Sequence, residues 1–300
     1  GPGIALKGEA IGLAFMLELP LVVVNVQRGG PSTGLPTKTE QSDLFQAMYG
    51  RNGEAPVPVI AASTPGDCFE TTFEAARIAV EHMTPVMFLS DGYIANGSEP
   101  WRFPKASDLR VINAPFAEAG QRDSKYLPYK RDKKGVRHWA IPGMEGLQHR
   151  IGGLEKEDET GDVSYDPQNH EKMVMLREEK VKKIAASLPV LELDSGPDSG
   201  KLLIVTWGST YGTVRSAVQQ VNADGERVAH LHLRYLNPFQ KELKGILNSY
   251  DKVIIPEMNR GQLTTIIRSE FLIDAECFSK VQGMPFTALE VREKILKDLS

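Results

Sequence analysis

The chain has little cysteine: Cys68 and Cys277 are the two thiols in 300 residues. Two thiols cannot supply the four thiolates of an ordinary iron–sulfur cluster, and they give no disulfide framework. Such sparing use fits a reducing cytoplasm. Cys68, in a predicted first helical turn, is read as packing rather than as a reactive group. A basic excess is also lacking. Lys and Arg number 35 against 39 Asp and Glu, a formal charge of −4, which excludes nucleic acid as the main partner. No apolar run approaches membrane-spanning length, and no secretory signal is visible. No histidines have H-E-x-x-H spacing; His230 and His232 share a strand face without an evident third ligand, so no metal site is assigned. The turn Gly208-Ser209-Thr210-Tyr211-Gly212 lacks dinucleotide-binding spacing, and Thr210 is expected to be a plain helix cap.

What is present is a globular composition, 41% hydrophobic and 25% charged, long enough for two domains. Residues 3–17 read as a buried helix, apolar all round. Residues 20–26 read as a Val-rich strand buried on both faces, followed by a helix near 40–49 that Thr39 or Ser42 caps. Another buried strand, 58–62, precedes Ser63-Thr64-Pro65, a cap with proline at the first helical position. The helix that follows places Phe69, Phe73, Ala76 and Val80 on one face. A third buried strand spans 85–89. Alternation of this kind argues for parallel β-α-β construction.

From about residue 93 to 199 the pattern weakens until a helix near 168–186. The basic cluster Lys125, Lys130, Arg131, Lys133, Lys134 and Arg137, and the acidic run 153–161, both read as solvated loops. A Gly/Ser/Pro/Asp linker near 195–200 marks a boundary. Beyond it the strands 201–207, 228–234, 252–257 and 278–282 alternate with helices 211–223, 241–249, 261–271 and 287–297. The expected domains are 1–110, a connecting segment 111–199, and 200–300.

The first strand runs into Arg28-Gly29-Gly30-Pro31-Ser32-Thr33-Gly34-Leu35-Pro36-Thr37. Ligands of open α/β sheets sit beyond the carboxyl ends of strands, where this loop lies. Its glycines permit close backbone approach, and Arg28 offers a planar fork for a carboxylate or phosphate. Glu9, a carboxylate in an apolar helix, is a minor acid–base candidate. Asp91, ending the third strand, either lines the site or caps the next turn. Gly, Pro, Ser and Thr are also ordinary turn residues, so the order of residues decides.

That order, with Gln41-Ser42-Asp43-Leu44, Gly1-Pro2-Gly3, Glu9-Ala10-Ile11-Gly12, Leu89-Ser90-Asp91-Gly92 and Pro256-Glu257-Met258-Asn259-Arg260-Gly261-Gln262, resembles the α chain of 2-oxoacid:ferredoxin oxidoreductases, most of all the 2-oxoglutarate type. The resemblance implies an α/β fold: a partial thiamine-diphosphate-binding, pyrimidine-type parallel-sheet domain, then a transketolase C-terminal-like domain. It implies oxidative decarboxylation of 2-oxoglutarate to succinyl-CoA, or the reverse, with electrons passed to ferredoxin. Arg28 and Thr33 would contact the substrate, and Gly1, Pro2 and Gly3 the cofactor, with Lys38 a guess for a distal carboxylate. No catalytic residue is assigned. Thiamine diphosphate with Mg²⁺ would be shared with a β chain that carries the cofactor diphosphate and an iron–sulfur cluster, in a cytoplasmic hetero-oligomer.

Family members carry, ahead of the position of Gly1, a Tyr-Pro-x-Thr-Pro loop and a glutamate that pairs with the aminopyrimidine. Neither is in these 300 residues, so an N-terminally incomplete α chain, silent without that segment and its β chain, is the expectation. An exposed sheet edge or apolar face would follow. Two alternatives stand beside this reading: the same chemistry on pyruvate or branched-chain 2-oxoacids, and a non-catalytic assembly subunit.

Overall fold

The computed structural model describes residues 1–118 and 125–300. The predicted connecting segment 111–199 therefore includes six residues, 119–124, outside the described ones. The chain opens with α1 (Pro2–Leu6) and α2 (Gly8–Leu17), two helices joined at Lys7 instead of one. They bury only Ile11 and Phe15, four residues apart on one face. Leu6 and Leu13 are exposed, so the helix predicted as buried all round is half-covered. Glu9 is exposed as well, which removes the buried carboxylate it was read as.

β1 (Leu21–Gln27) is the outer strand of a four-stranded sheet, order β1-β3-β2-β6, with β3 at Pro85–Asp91, β2 at Val59–Ala61 and β6 at Tyr235–Asn237. It pairs in parallel with β3 alone. The reading of β1 as buried on both faces is corrected, and its side chains are inverted relative to ordinary patterning. Val24 is 53% and Val26 40% exposed, while Asn25 and Gln27 are 4% and 1% exposed. β3, paired on both sides, is buried along its whole length.

Between these strands run α3 (Leu44–Tyr49), α4 (Asp67–His82) and, after β3, α5 (Gly92–Asn96). Neither Thr39 nor Ser42 caps α3; Asp43 precedes it, and its side chain caps none of the helix amides. α4 starts two residues after Pro65, where Ser63 N and Oγ both donate to Asp67 and Asp67 N donates to Thr64 Oγ1. Its buried residues are Thr71, Ala75, Arg77, Ile78, Ala79 and His82; Thr71, Ala75, Ile78 and His82 lie two residues on from the predicted stripe, nearly on the opposite side of the helix. Phe69 instead meets Trp101, ring centroids 5.3 Å apart.

The connecting segment has little regular structure before α6 (Pro167–Lys183), which Asp166 caps with Pro167 at its first position. This segment is fastened to the C-terminal end of α2. The carbonyl of Leu17 accepts from Tyr129 and Arg137, and Glu18 pairs with Arg131 and, at 2.7 Å, with Lys180. Burial alone would raise the Glu18 pKa, but the two cations outweigh it and hold the carboxyl at about 2. Arg131 and Arg137 are therefore buried, against their reading as members of a solvated loop. Lys156, in the stretch read as a solvated acidic loop, is buried too, its Nζ on the carbonyls of Gly152 and Leu154.

The remainder comprises β4 (Gly200–Trp207), α7 (Thr210–Ala223), β5 (Val228–Leu233), β6, α8 (Leu243–Leu247), β7 (Tyr250–Glu257), α9 (Gln262–Phe271), β8 (Ala275–Ser279) and α10 (Ala288–Leu299). Here β8 begins three residues before the predicted strand. The second sheet is all parallel, order β5-β4-β7-β8. β6, however, leaves it and pairs antiparallel with β2. One apolar cluster also joins Leu44, Ala47 and Met87 to Trp207, Leu231 and Leu263, so the two units share a core. The linker in sequence is not a gap in packing.

Candidate functional site

The loop after β1 is pinned at both ends by the polar residues that β1 buries. Gln27 Nε2 donates to Ser90 O on β3, and Gln27 Oε1 accepts from Asp43 N at 3.0 Å. Asn25 Nδ2 donates to Asp43 Oδ2 at 3.1 Å. Within the loop, Gly29 N donates to Lys38 O and Leu35 N to Gly29 O. Gly34 has φ +41°, and a Cβ there would lie 2.2 Å from Gly29 O, so only glycine closes this turn.

The tip of the loop borders a cavity of about 650 Å³ lined by Gly1, Pro2, Ala5, Leu6, Arg28–Thr33, Glu40, Ser42, Asp43 and Gln46. Arg28 is exposed and braced by one bond, Nη1 to Pro36 O at 3.1 Å. It forms no ion pair among the described residues, and the amides of Ser32, Thr33 and Gly34 donate to none of them. Glu40 and Asp43 are the acids of the cavity wall. Glu40 is buried, and burial raises its pKa against the lowering effect of the nearby Gly283 and Gly30 amides. Asp43 accepts from Asn25 and Ser42. The available groups are thus one guanidinium and the two adjacent amides of Ser32 and Thr33. This is a donor set for a carboxylate.

Of the residues singled out in sequence, Arg28, Thr33, Gly1 and Pro2 line this cavity. Gly3 borders a neighbouring groove along the free edge of β1, which Arg28 also touches. Lys38 lines neither; it packs against Gly283. Asp91 caps α5 by accepting from Tyr93 N and Ile94 N, and also accepts from Thr39 and Ser209. Burial pushes its pKa up in spite of these four donors. Thr210 is no cap: its Oγ1 donates back to Trp207 O, and Ser209 precedes the helix. His230 and His232 both contact Thr206 Oγ1, at 2.8 and 3.0 Å, on the second sheet.

Residues 1–167 match the family model described as pyruvate flavodoxin/ferredoxin oxidoreductase, thiamine diphosphate-binding; residues 200–291 match pyruvate:ferredoxin oxidoreductase core domain II. The chain belongs to this oxidoreductase family. It is 53% identical over 292 residues to the 2-oxoglutarate oxidoreductase subunit KorA of Mycobacterium tuberculosis, covering 97% of this chain and 44% of that one. It is 32% identical over 267 residues to the 2-oxoglutarate synthase subunit KorA of Methanocaldococcus jannaschii, covering 88% of this chain and 69% of that one. The 2-oxoglutarate:ferredoxin oxidoreductase from Magnetococcus marinus, solved with 2-oxoglutarate, coenzyme A and succinyl-CoA bound, matches with a TM-score of 0.92 and 35% identity. That match covers all of this chain and 52% of the solved one. The chain thus spans about half the length of two of these relatives.

Sequence reasoning missed two cavity residues of this oxidoreductase chain, Glu40 and Gln46. Gln46 sits on α3, and its Oε1 is buried without a donor among the described residues. A single polar residue on a short helix carries no signal in sequence. Glu40 lies between the motif stretches 28–37 and 41–44 and reads as a solvated charge until its burial is seen.

Proposed function

We propose that this chain is the α-type part of a thiamine-diphosphate-dependent enzyme that converts 2-oxoglutarate and coenzyme A to succinyl-CoA and CO₂, passing electrons to ferredoxin, or runs the reverse. The observation that carries the proposal is the cavity at the end of β1, where Arg28 has no ion pair and the amides of Ser32 and Thr33 have no acceptor among the described residues. A 2-oxoacid presents a planar carboxylate, and a guanidinium fork binds it through two charge-assisted hydrogen bonds. Thr33 Oγ adds a neutral donor beside it. The choice of 2-oxoglutarate rests on the names borne by the relatives.

The residues also suit the cofactor. Gln46 Oε1 is a buried acceptor lacking a donor, in a wall that Pro2, Ala5 and Leu6 make apolar, and a pyrimidine carrying an amino group meets both demands. Gly1, Pro2 and the open backbone at Gly3, where no atom lies within 4 Å of an added Cβ, leave room for a ring against α1. Thiamine diphosphate, when bound, supplies the electron sink that decarboxylation needs. This chain's part is to fix the substrate carboxylate and to shield it from water.

Mg²⁺, the cofactor diphosphate and an iron–sulfur cluster are assigned to a β chain, since the two cysteines here cannot ligate a cluster. Among the described residues, no group of three or more His, Cys, Asp or Glu could hold a metal ion. No helix of the described residues is long and apolar enough to cross a membrane, in keeping with a cytoplasmic complex. Residues 1–110 and 200–300 are proposed as its two domains here. The test is copurification of the full-length protein with a cluster-containing chain, followed by viologen reduction. Reduction that depends on 2-oxoglutarate and coenzyme A is expected. A cluster-containing complex that reduces viologen only with pyruvate overturns the substrate, and one inert with every 2-oxoacid overturns the enzyme.

A further inference from the structure

We propose that Gln41 is a positioning residue through which the second unit sets the aim of Arg28. The inference rests on the assignment of Arg28 made above and adds what holds it. Gln41 is 0% exposed, and all four of its polar groups bond to the second unit. Its Nε2 donates to Trp207 O at 2.7 Å, and its Oε1 accepts from Met258 N at 3.0 Å. Its own N donates to Met258 O at 3.1 Å, and its O accepts from Asn259 Nδ2 at 2.8 Å.

The residues on either side hold the substrate loop. Glu40 packs against Gly29, where an added Cβ would lie 3.5 Å from its Cδ, and Ser42 Oγ donates to Arg28 O at 2.9 Å. Gln41 is therefore the fixed point between two grips on the loop. Any shift of its main chain is passed to Arg28 and Gly29 together.

The receiving surface is built for this amide. Trp207 ends β4 and Met258 follows β7, and buried Glu257 ties them by accepting from Trp207 Nε1 and Asn259 Nδ2. Gly208 has φ +59°, and a Cβ there would stand 2.9 Å from Gln41 Nε2. Only a primary amide of this length offers a donor to one strand end and an acceptor to the other. A glutamate would set an acceptor against Trp207 O, and an alanine would leave Met258 N buried and unpaired and Trp207 O with Thr210 Oγ1 alone.

The experiment is a double-mutant cycle on kcat/KM for 2-oxoglutarate, run on the full-length protein with its partner chain. Gln41→Ala is expected to raise KM about tenfold and to change kcat by less than about threefold. Combined with Arg28→Ala, it is expected to change kcat/KM by less than about twofold further, because its effect runs through Arg28. Gln262→Ala, a half-buried residue whose amide donates to Ser42 O and accepts from Phe45 N, is expected to act in the same direction by about threefold and serves if Gln41→Ala does not fold. Equal factors in the presence and absence of Arg28, or a loss confined to kcat, overturn the proposal. An Arg28→Ala complex with an unchanged KM overturns the Arg28 assignment and this inference with it.

Discussion

The segment 28–43 has two halves with opposite chemistry. At its tip, Arg28, Ser32 and Thr33 are exposed and keep donors free toward the cavity. At its base, Thr39, Glu40 and Gln41 are buried, with Thr39 Oγ1 donating to Asp91 and the Gln41 amide taken up by Trp207 and Met258. Buried polar groups are costly unless satisfied, so a satisfied base reads as frame. Free donors in a cavity read as a place for a ligand. Sixteen neighbouring residues thus divide by partnership alone, and substitutions at the two ends are expected to fail differently.

The largest effect is expected at the base. Glu257 accepts five hydrogen bonds, from Trp207, Asn259, Leu263 N, Thr264 N and Thr264 Oγ, while fully buried. Glu257→Ala should cost about 3 kcal/mol or more in a denaturant titration, because it strands donors in the core. Acid should act next, away from the tip. His82 is buried on α4, and burial, with Arg77 nearby, lowers its pKa from 6.5 to about 4. A depressed histidine pKa means the unfolded chain takes up the proton first. Its stability contribution is whole above pH 6.5 and drains as pH falls toward 4, a loss of about 2 kcal/mol at pH 5. His82→Gln should flatten that part of the stability–pH curve.

Asp91 sharpens the comparison further. Asp91→Ala should lose about 2 kcal/mol, whereas Asp91→Asn should lose less than about 1, since burial already disfavours the charge. Smallest of all is the expected stability change at the tip. Thr33→Val should leave the unfolding midpoint within about 1 °C and raise KM for the 2-oxoacid about fivefold, as one neutral hydrogen bond is removed. A Thr33→Val protein that unfolds early would erase the division between tip and base.

Much of this was legible in the residues. The order of strands and helices in 200–300 followed from period and turn residues, and the loop after β1 was marked by its glycines and Arg28. The burial of β1 was not legible, because a Val-rich run looks the same at the centre of a sheet as at its edge; only pairing decides. The face of α4 was misplaced by two residues, nearly to the opposite side of the helix, and Phe69 found Trp101 instead of the core. Glu18 and its cations Arg131 and Lys180 come from positions more than a hundred residues apart, a distance no local pattern spans. The late motif around Glu257 and Asn259 was visible as a string, but its purpose emerged only when Gln41 was seen seated on it.

The central claim is that Arg28 meets the substrate while the base beneath it only holds the frame. The direct measurement is KM for 2-oxoglutarate in the complete complex carrying Arg28→Ala, with thiamine diphosphate affinity and the unfolding midpoint followed in parallel. A KM raised about fiftyfold or more, with the other two quantities unchanged, is the predicted result. An unchanged KM would contradict the account.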